Sequence, residues 1–561
     1  MLAKPRVDPH GQWVDNPAMP EPAKYTSRSR RAVGTIESGS ERALLAVALA
    51  LIGRRERLTA AEVAACSGVA ASPDAESVAE LRAVILAGGD PLGDALMHLR
   101  SADARRVSGA TYTPGPIVTS MVAWARREGV PARVVDPGTG SGRFLIAAGR
   151  AFPTARLVAI EPDPVATILL RANLATLGML DRTTILTCDY RQAKLPAELG
   201  RTLFIGNPPY VRHHQIGPDD KAWFARAAAA FGVRASKLAG LHVHFFLRTA
   251  QLARPGDVGV FITSSEWLDV NYGVTLRQLL AAPLGGVALH VLDPRALPFP
   301  GTATTGAITC FRVGQRPATL RVREVRSLHA LDALSAGRAV PWSTVARSSH
   351  WSAIVRPTKT AAGSVELGEI FRVHRGQVTG ANDIWVAGKE AAELPPGVLI
   401  PTVTKARELI AAGDCLTDAG ALRRVVNLPD DLAELPVDSQ RAVARFLRWA
   451  RANGADQSYI ASHRHAWWAV GLKPPAPILC TYMARRAPAF VRNTCGARHI
   501  NVAHGLYPRQ PMRPAILDAY ASWLRRHVTT AGGRTYAGGL VKFEPKELER
   551  VRVPALDEIL A

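Results

Sequence analysis

The sequence predicts an α/β protein: a doubly wound parallel sheet, with a helical extension before it and a mixed α+β region after it. Three observations carry this expectation. From Tyr112 to about Val322, short β-rich runs alternate with helical stretches, which is the pattern of strands joined by crossover helices. Ahead of that region, Glu41 to about Arg100 is alanine-rich and helical in period. Beyond about Leu367 come short strands, many Pro and Gly, and few long helices.

Taken in order, these patterns divide the chain. Residues 1–38 are rich in Pro, Arg and Ser without an apolar period and read as a flexible basic arm. Residues 39–104 read as a helical N-terminal module, in which Thr59 and Glu62 have the spacing of a capping box. The alternating region, 105–325, holds strands at Arg133-Val134-Val135, Leu157-Val158-Ala159-Ile160, Thr184-Ile185-Leu186, Leu203-Phe204-Ile205 and Val258-Gly259-Val260-Phe261-Ile262. Order weakens over 326–365, which reads as a linker region, and 366–561 form a further domain. At 561 residues the chain is too long for one ordinary domain.

Composition narrows the function. Hydrophobic residues at 47% and charged residues at 21% are those of a folded globular protein. The net charge of +22 attracts polyanions, nucleic acid first among them, with a generic basic surface as the alternative. The six cysteines are scattered, without CxxC or zinc-site spacing. They point to a reducing, cytoplasmic setting with no structural metal. The longest apolar run, Ala43 to Ile52, is too short to span a bilayer and lies too far into the chain for a signal peptide.

The stretch Asp136-Pro137-Gly138-Thr139-Gly140-Ser141-Gly142 follows a strand and opens a helical run from Phe144. Gly138, Gly140 and Gly142 let the backbone turn sharply and approach a ligand. Alone, such a loop is a weak signal. Asp136 ends its strand, where a carboxylate can hold a cationic amino group. Glu161 ends the next strand, about 20 residues past the loop, where an acid accepts bonds from ribose hydroxyls. Asp189 ends a third, Ile185 to Asp189, and suits an adenine amino group, although helix capping is an alternative for it. Gly142 falls one residue early for the third glycine of a dinucleotide loop. S-adenosylmethionine suits the set better.

Asn207-Pro208-Pro209-Tyr210 follows the fourth strand directly. An exocyclic aromatic amine is a poor nucleophile, because its lone pair is delocalised into the ring. Two acceptors on its N–H bonds push the nitrogen toward tetrahedral geometry. The Asn207 side-chain oxygen can be one, and the Pro208 carbonyl the other, aimed by the fixed φ of successive prolines. Tyr210 offers a flat face on which an extracted base can stack. A proline-rich strand exit without chemistry is the alternative.

The order Tyr112-Thr113-Pro114, the glycine loop, Glu161, Asp189 and Asn207-Pro208-Pro209-Tyr210 resembles the gamma-class N6-adenine DNA methyltransferases of the TaqI-like branch. The resemblance implies a Rossmann-like methyltransferase sheet, S-adenosylmethionine as cofactor and flipping of the target adenine. It also implies that Thr113 helps to hold the cofactor. Phe299, in Phe299-Pro300 ahead of Gly306 to Phe311, matches the aromatic that clamps the base opposite Tyr210. The segment Leu241 to Asp257 resembles the helix and turn before the fifth strand.

Arg375 to Asp383, Tyr536 to Lys542 and Pro545 through Pro554 resemble the opening and the end of that branch's target-recognition domain, which places the resemblance from about residue 105 to the C-terminus. Between Asp456 and Asp518 there is no acidic residue. That interval holds Arg464, Lys473, Arg485, Arg486, Arg492 and Arg498, interleaved with Trp467, Trp468, Tyr482, Phe490 and Tyr507. Cations with aromatics suit contact with double-stranded DNA, although most of these aromatics read as core. His213-His214 reads as a polar or DNA-facing pair. The rival readings are a glutamine-amide or RNA methyltransferase sharing the Asn-Pro-Pro-Tyr loop, and a silent DNA-binding subunit. The first 105 residues lack a nuclease constellation, so a partner restriction endonuclease is expected as a separate chain.

Overall fold

The computed structural model describes residues 34, 36, 39–53, 58–69, 73–101, 104–105, 109, 113–293, 305–348, 350–356, 365–530, 533–536 and 540–560. The chain divides into two compact units, Met1–Arg356 and Pro357–Ala561.

Among the described residues, the first unit has near its start the helices α1 (Glu41–Ile52), α2 (Ala60–Ala65), α3 (Ala75–Leu86) and α4 (Pro91–Leu99). Each has a side-chain N-cap, from Ser40, Thr59, Asp74 and Asp90 in turn. The capping box of Thr59 and Glu62 is formed. Next come α5 (Gly115–Arg127), β1 (Arg133–Pro137), α6 (Arg143–Ala151), β2 (Arg156–Ile160) and α7 (Pro164–Thr176). They are followed by β3 (Thr183–Leu186), β4 (Thr202–Gly206), α8 (Pro218–Ala229), α9 (Leu241–Leu252), β5 (Val258–Thr263) and α10 (Val274–Ala281). Four strands close the series: β6 (Gly286–Leu292), β7 (Gly306–Arg312), β8 (Thr319–Val325) and β9 (Arg338–Pro341).

These strands form a nine-stranded sheet in the order β3-β2-β1-β4-β5-β7-β6-β8-β9. The five strands β3-β2-β1-β4-β5 are parallel. Helices cross over between β1 and β2, β2 and β3, and β4 and β5, while β3 and β4 are joined by a segment without a helix. Every residue of β1, β4 and β5 is buried, because helices cover both faces. One face packs Val135, Phe204, Phe246, Phe261 and Phe311 together; the other packs Val134, Leu157, Leu203, Val260 and Met121. The helices α1, α3 and α4 bury Leu44, Leu51, Leu81, Ile85 and Leu92 against Ile168, Leu169 and Ala172 of α7.

Two expectations need correction. The sheet is mixed rather than parallel, since β7 lies between β5 and β6 and is antiparallel to both. It follows β6 in sequence and pairs beside it antiparallel. The stretch read as a linker also contributes structure to residue 355. Strand β9 pairs with β8, and two short helices, α11 (Trp342–Arg347) and α12 (Trp351–Val355), follow it. Trp351 lies 5.7 Å from both Trp267 and Trp342, ring centre to centre. Elements this short show no period in sequence, and aromatic anchors fix them instead.

The second unit is built from small sheets. Its five-stranded sheet runs Phe371–Arg375, Ala503–Pro508, Ile478–Thr481, Phe490–Asn493 and Cys415–Leu416. The helix Pro514–His527 lays Leu517, Tyr520 and Leu524 into a core with Phe371, Ile478 and Phe490. A three-stranded sheet of Arg424–Val426, Leu399–Val403 and Arg498–His499 is accompanied by the helix Val437–Ala452, which shares a second core with Trp385 and Val425. Among the described residues, no helix is long and apolar enough to cross a membrane.

Candidate functional site

The glycine loop leaves β1 and is latched at once to β2. The N–H groups of Gly138 and Thr139 donate to Ile160 O at 2.8 and 3.2 Å, and Thr139 Oγ1 accepts from Ile160 N at 3.0 Å. Gly142 sits at φ +104°, and a Cβ there would lie 2.5 Å from Leu170 Cδ1. Only glycine fits both the left-handed backbone and that approach.

Glu161 grips the loop from the sheet side. Its Oε2 accepts from Gly140 N at 2.9 Å and its Oε1 from Asp163 N at 3.1 Å. Burial pushes its carboxyl up to about 7, against the pull of these two bonds. Asp136 is 1% exposed. Its Oδ2 accepts from Leu145 N at 3.2 Å, while Oδ1 is buried without a hydrogen-bond partner among the described residues. Burial raises its carboxyl well above the usual range, and the nearby Glu161 charge adds to the rise. A Cβ on Gly206 would stand 2.5 Å from that Oδ1, so the end of β4 must be glycine for the carboxylate to face it. A buried carboxylate oxygen with this deficit suits an ammonium group. Glu161 beside the loop suits ribose hydroxyls, and together the residues present fit S-adenosylmethionine.

Asp189 departs from its expected position. Strand β3 ends at Leu186, and the carboxylate three residues on is held by Arg191 through N (2.8 Å), Nε (2.9 Å) and Nη2 (2.6 Å). Burial pushes it up, but the Arg191 bonds and charge prevail and hold it below the usual carboxylate range. Arg191 reaches on to Asp220 at 2.9 Å.

Strand β4 runs straight into Asn207-Pro208-Pro209-Tyr210. Asn207 Nδ2 donates to Thr113 Oγ1 at 3.0 Å, so the oxygen end of the amide points away from Thr113. Tyr210 N donates to Gly109 O at 3.2 Å. Its ring is partly exposed while its hydroxyl is buried, which raises the phenol. Because β1 and β4 are adjacent parallel strands, their carboxyl ends bring the two motifs together. A Cβ on Gly138 would lie 3.5 Å from Pro209 Cδ and 3.7 Å from Phe245 Cε1.

Phe245 was not singled out for the site by the sequence, and neither were His242 and His244. The first turn of α9 abuts the turn after β4, with Leu241 N donating to Val211 O at 3.0 Å. His244 stacks on Phe224 at 4.2 Å. Burial pushes His242 down to about 4 and His244 to about 3. Two histidines and two phenylalanines within Leu241–Phe246 were the available signal. Phe299 and Tyr112 lie outside the described residues. His213 and His214 meet edge to face at 5.6 Å in a short 3-10 turn after Tyr210.

The basic candidates of the second unit separate. Arg485 and Arg486 are exposed, and Lys473 is partly so. Arg492 is only 8% exposed, and its Nε binds Asp518 at 2.5 Å while Nη1 binds the Pro477 carbonyl. Arg464 Nη2 binds the carbonyls of Val378 and Thr379 at 2.7 and 2.9 Å. Both guanidinium groups are spent on the fold, which corrects the expectation that they contact DNA. Arg498 is half-buried and gives Nη1 to the Lys473 carbonyl. Of the interleaved aromatics, Tyr482 and Phe490 are buried, while Trp467, Trp468 and Tyr507 are partly buried against the cores.

Residues 340–561 match the family described as the C-terminal domain of type II methyltransferase M.Eco57I, and residues 198–284 match the Eco57I restriction-modification methylase family. The chain is 55% identical over 525 residues to the type II methyltransferase M.XamI of Xanthomonas campestris pv. amaranthicola, an alignment covering 93% of this chain and 99% of that protein. It is 20% identical over 476 residues to the type II methyltransferase M.AccI of Acinetobacter calcoaceticus, covering 80% and 86%. Its fold is similar to that of the type IIL restriction-modification enzyme MmeI solved in complex with DNA, with a TM-score of 0.56 at 13% identity, over 95% of this chain and 81% of that one.

Proposed function

The chain belongs to the type II methyltransferases of restriction-modification systems, and from that premise we propose that it methylates the N6 amino group of an adenine flipped out of double-stranded DNA. The observation that carries the choice of an amino group is Asn207 at the end of β4, with its amide nitrogen committed to Thr113 at 3.0 Å. The amide then offers its oxygen to a substrate, and an acceptor is what an amine about to act as nucleophile needs.

Bound S-adenosylmethionine supplies an electrophilic methyl group. Asp136 takes its ammonium group and Glu161 its ribose hydroxyls. Asp189 has three of its roughly four acceptor sites taken by Arg191 and keeps capacity for the adenine amine. Asn207 Oδ1 and the Pro208 carbonyl accept the two N–H bonds of the target amine, favouring a localised lone pair. Tyr210 stacks on one face of the base, worth roughly 1–3 kcal/mol, and by resemblance Phe299 takes the other. Arg485, Arg486 and Lys473 neutralise phosphates, positioning the duplex without reading its sequence. Any partner restriction endonuclease is expected to be a separate chain.

The test is transfer of a labelled methyl group to duplex DNA, followed by digestion to nucleosides. The label should appear in N6-methyldeoxyadenosine. Label in N4-methyldeoxycytidine would overturn the choice of base, and label entering only RNA or protein would overturn the substrate.

A further inference from the structure

We propose that the helical module α1 to α4 is a working part of the cofactor site, with Asp90 as a positioning residue that holds the glycine loop in its binding shape. The inference rests on that loop being where S-adenosylmethionine binds.

Asp90 joins three elements. As the N-cap of α4, its Oδ1 accepts from Gly93 N at 3.1 Å, and the same oxygen accepts from Asn173 Nδ2 of α7 at 3.0 Å. Its Oδ2 accepts from Ser141 Oγ at 2.5 Å and pairs with Arg143 Nε, the first residue of α6, at 3.0 Å. Asn173 also donates to the Ser141 carbonyl at 3.0 Å. Ser141 is therefore held by both its side chain and its backbone. The approach is close enough to dictate sequence, since a Cβ on Gly93 would lie 2.3 Å from Ser141 Oγ.

Ser141 stands between Gly140, whose N–H Glu161 holds, and Gly142. A loop with three glycines in five residues loses much conformational entropy when ordered. External anchors lower the share of that cost left to cofactor binding. Glu161 anchors the loop from the sheet, and Asp90 anchors it from the module. The module's other polar clasps do different work. Glu62 pairs with Arg171 at 2.8 Å and Arg100 with Asp163, and these fix the module on α7.

Asp90→Asn tests the latch without removing the cap, because it keeps an oxygen for Gly93 and Asn173 but puts an amide nitrogen toward Ser141 and Arg143. Ser141→Ala breaks the same bond from the loop. Each should raise KM for S-adenosylmethionine about tenfold, the scale of one charge-assisted hydrogen bond, while kcat at saturating cofactor stays within about twofold. The double variant should be no worse than either single one. Glu62→Gln should lower the melting temperature and leave that KM unchanged. The proposal is overturned if Asp90→Asn lowers the melting temperature without moving KM for the cofactor, or if the two latch variants act independently and multiply. Glu161→Gln separates the two claims. If it raises KM where the latch variants do not, only the role of Asp90 fails; if it does not, the assignment of the loop fails too.

Discussion

The glycine loop of the first unit and the acid-free stretch of the second both concentrate polar groups, yet they spend them differently. Around the loop, Asp136, Glu161 and Asn207 lie at the carboxyl ends of three neighbouring strands, and parallel pairing fixes where they meet. In the second unit, cations scattered over about sixty residues are divided by the local fold. Arg492 and Arg464 give their guanidinium groups to part-buried backbone carbonyls, while Arg485 and Arg486 remain on the surface. A motif tied to a topology locates its side chains; a composition does not. Positive charge is needed to hold a polyanion, but an interior also consumes arginines, because unpaired backbone carbonyls are costly.

The contrast is sharpest at Asn207. Asn207→Ala should lower methyl transfer by about a thousandfold, the scale of losing a preorganised polar contact to the reacting group, with DNA affinity retained in a binding assay. Full activity in that variant would separate the motif from the chemistry. Thr113→Val should cost about tenfold in kcat, because the Asn207 amide loses the acceptor that orients it. A rise in cofactor KM alone would return Thr113 to the cofactor.

In the second unit, replacing Arg485 and Arg486 together with Ala should weaken DNA binding and reduce the salt slope of log affinity by about two, leaving the melting temperature nearly unchanged. Arg492→Met should do the reverse, lowering stability by about 2 kcal/mol while leaving the slope alone. Equal slopes for both variants would dissolve the distinction between surface and structural cations.

The smallest effect concerns pH. Glu161 has a folded carboxyl raised to about 7, so the cofactor-free protein should lose stability as pH rises from the unfolded value through about 7. Ribose hydroxyls favour the ionised form. Cofactor affinity should therefore tighten over the same rise, and Glu161→Gln should flatten the dependence. A wild-type affinity independent of pH would take Glu161 out of the ribose contact.

What the sequence made legible follows the same division. The order of β1 to β5 and the ends of β1, β2 and β4 were readable, since buried parallel strands are continuous apolar runs and their motifs follow directly. The antiparallel insertion of β7 was not, because pairing order leaves no local mark. Asp189 was assigned to a strand that stops three residues earlier, where Arg191 turns the carboxylate into an ion pair. Asp90 was invisible as well. Its partners Ser141, Arg143 and Asn173 lie at least 51 residues away, and nothing in an N-cap aspartate marks a second job.

The central claim is that Asn207-Pro208-Pro209-Tyr210, in the company of this loop and this basic unit, methylates adenine in DNA. Its most direct test is modified-base sequencing of DNA from a methylation-free host expressing either the intact chain or Asn207→Ala. The account predicts N6-methyladenine at one recurring sequence with the intact chain and none with the variant. Unmodified DNA from the intact chain, or the mark on cytosine, would contradict it.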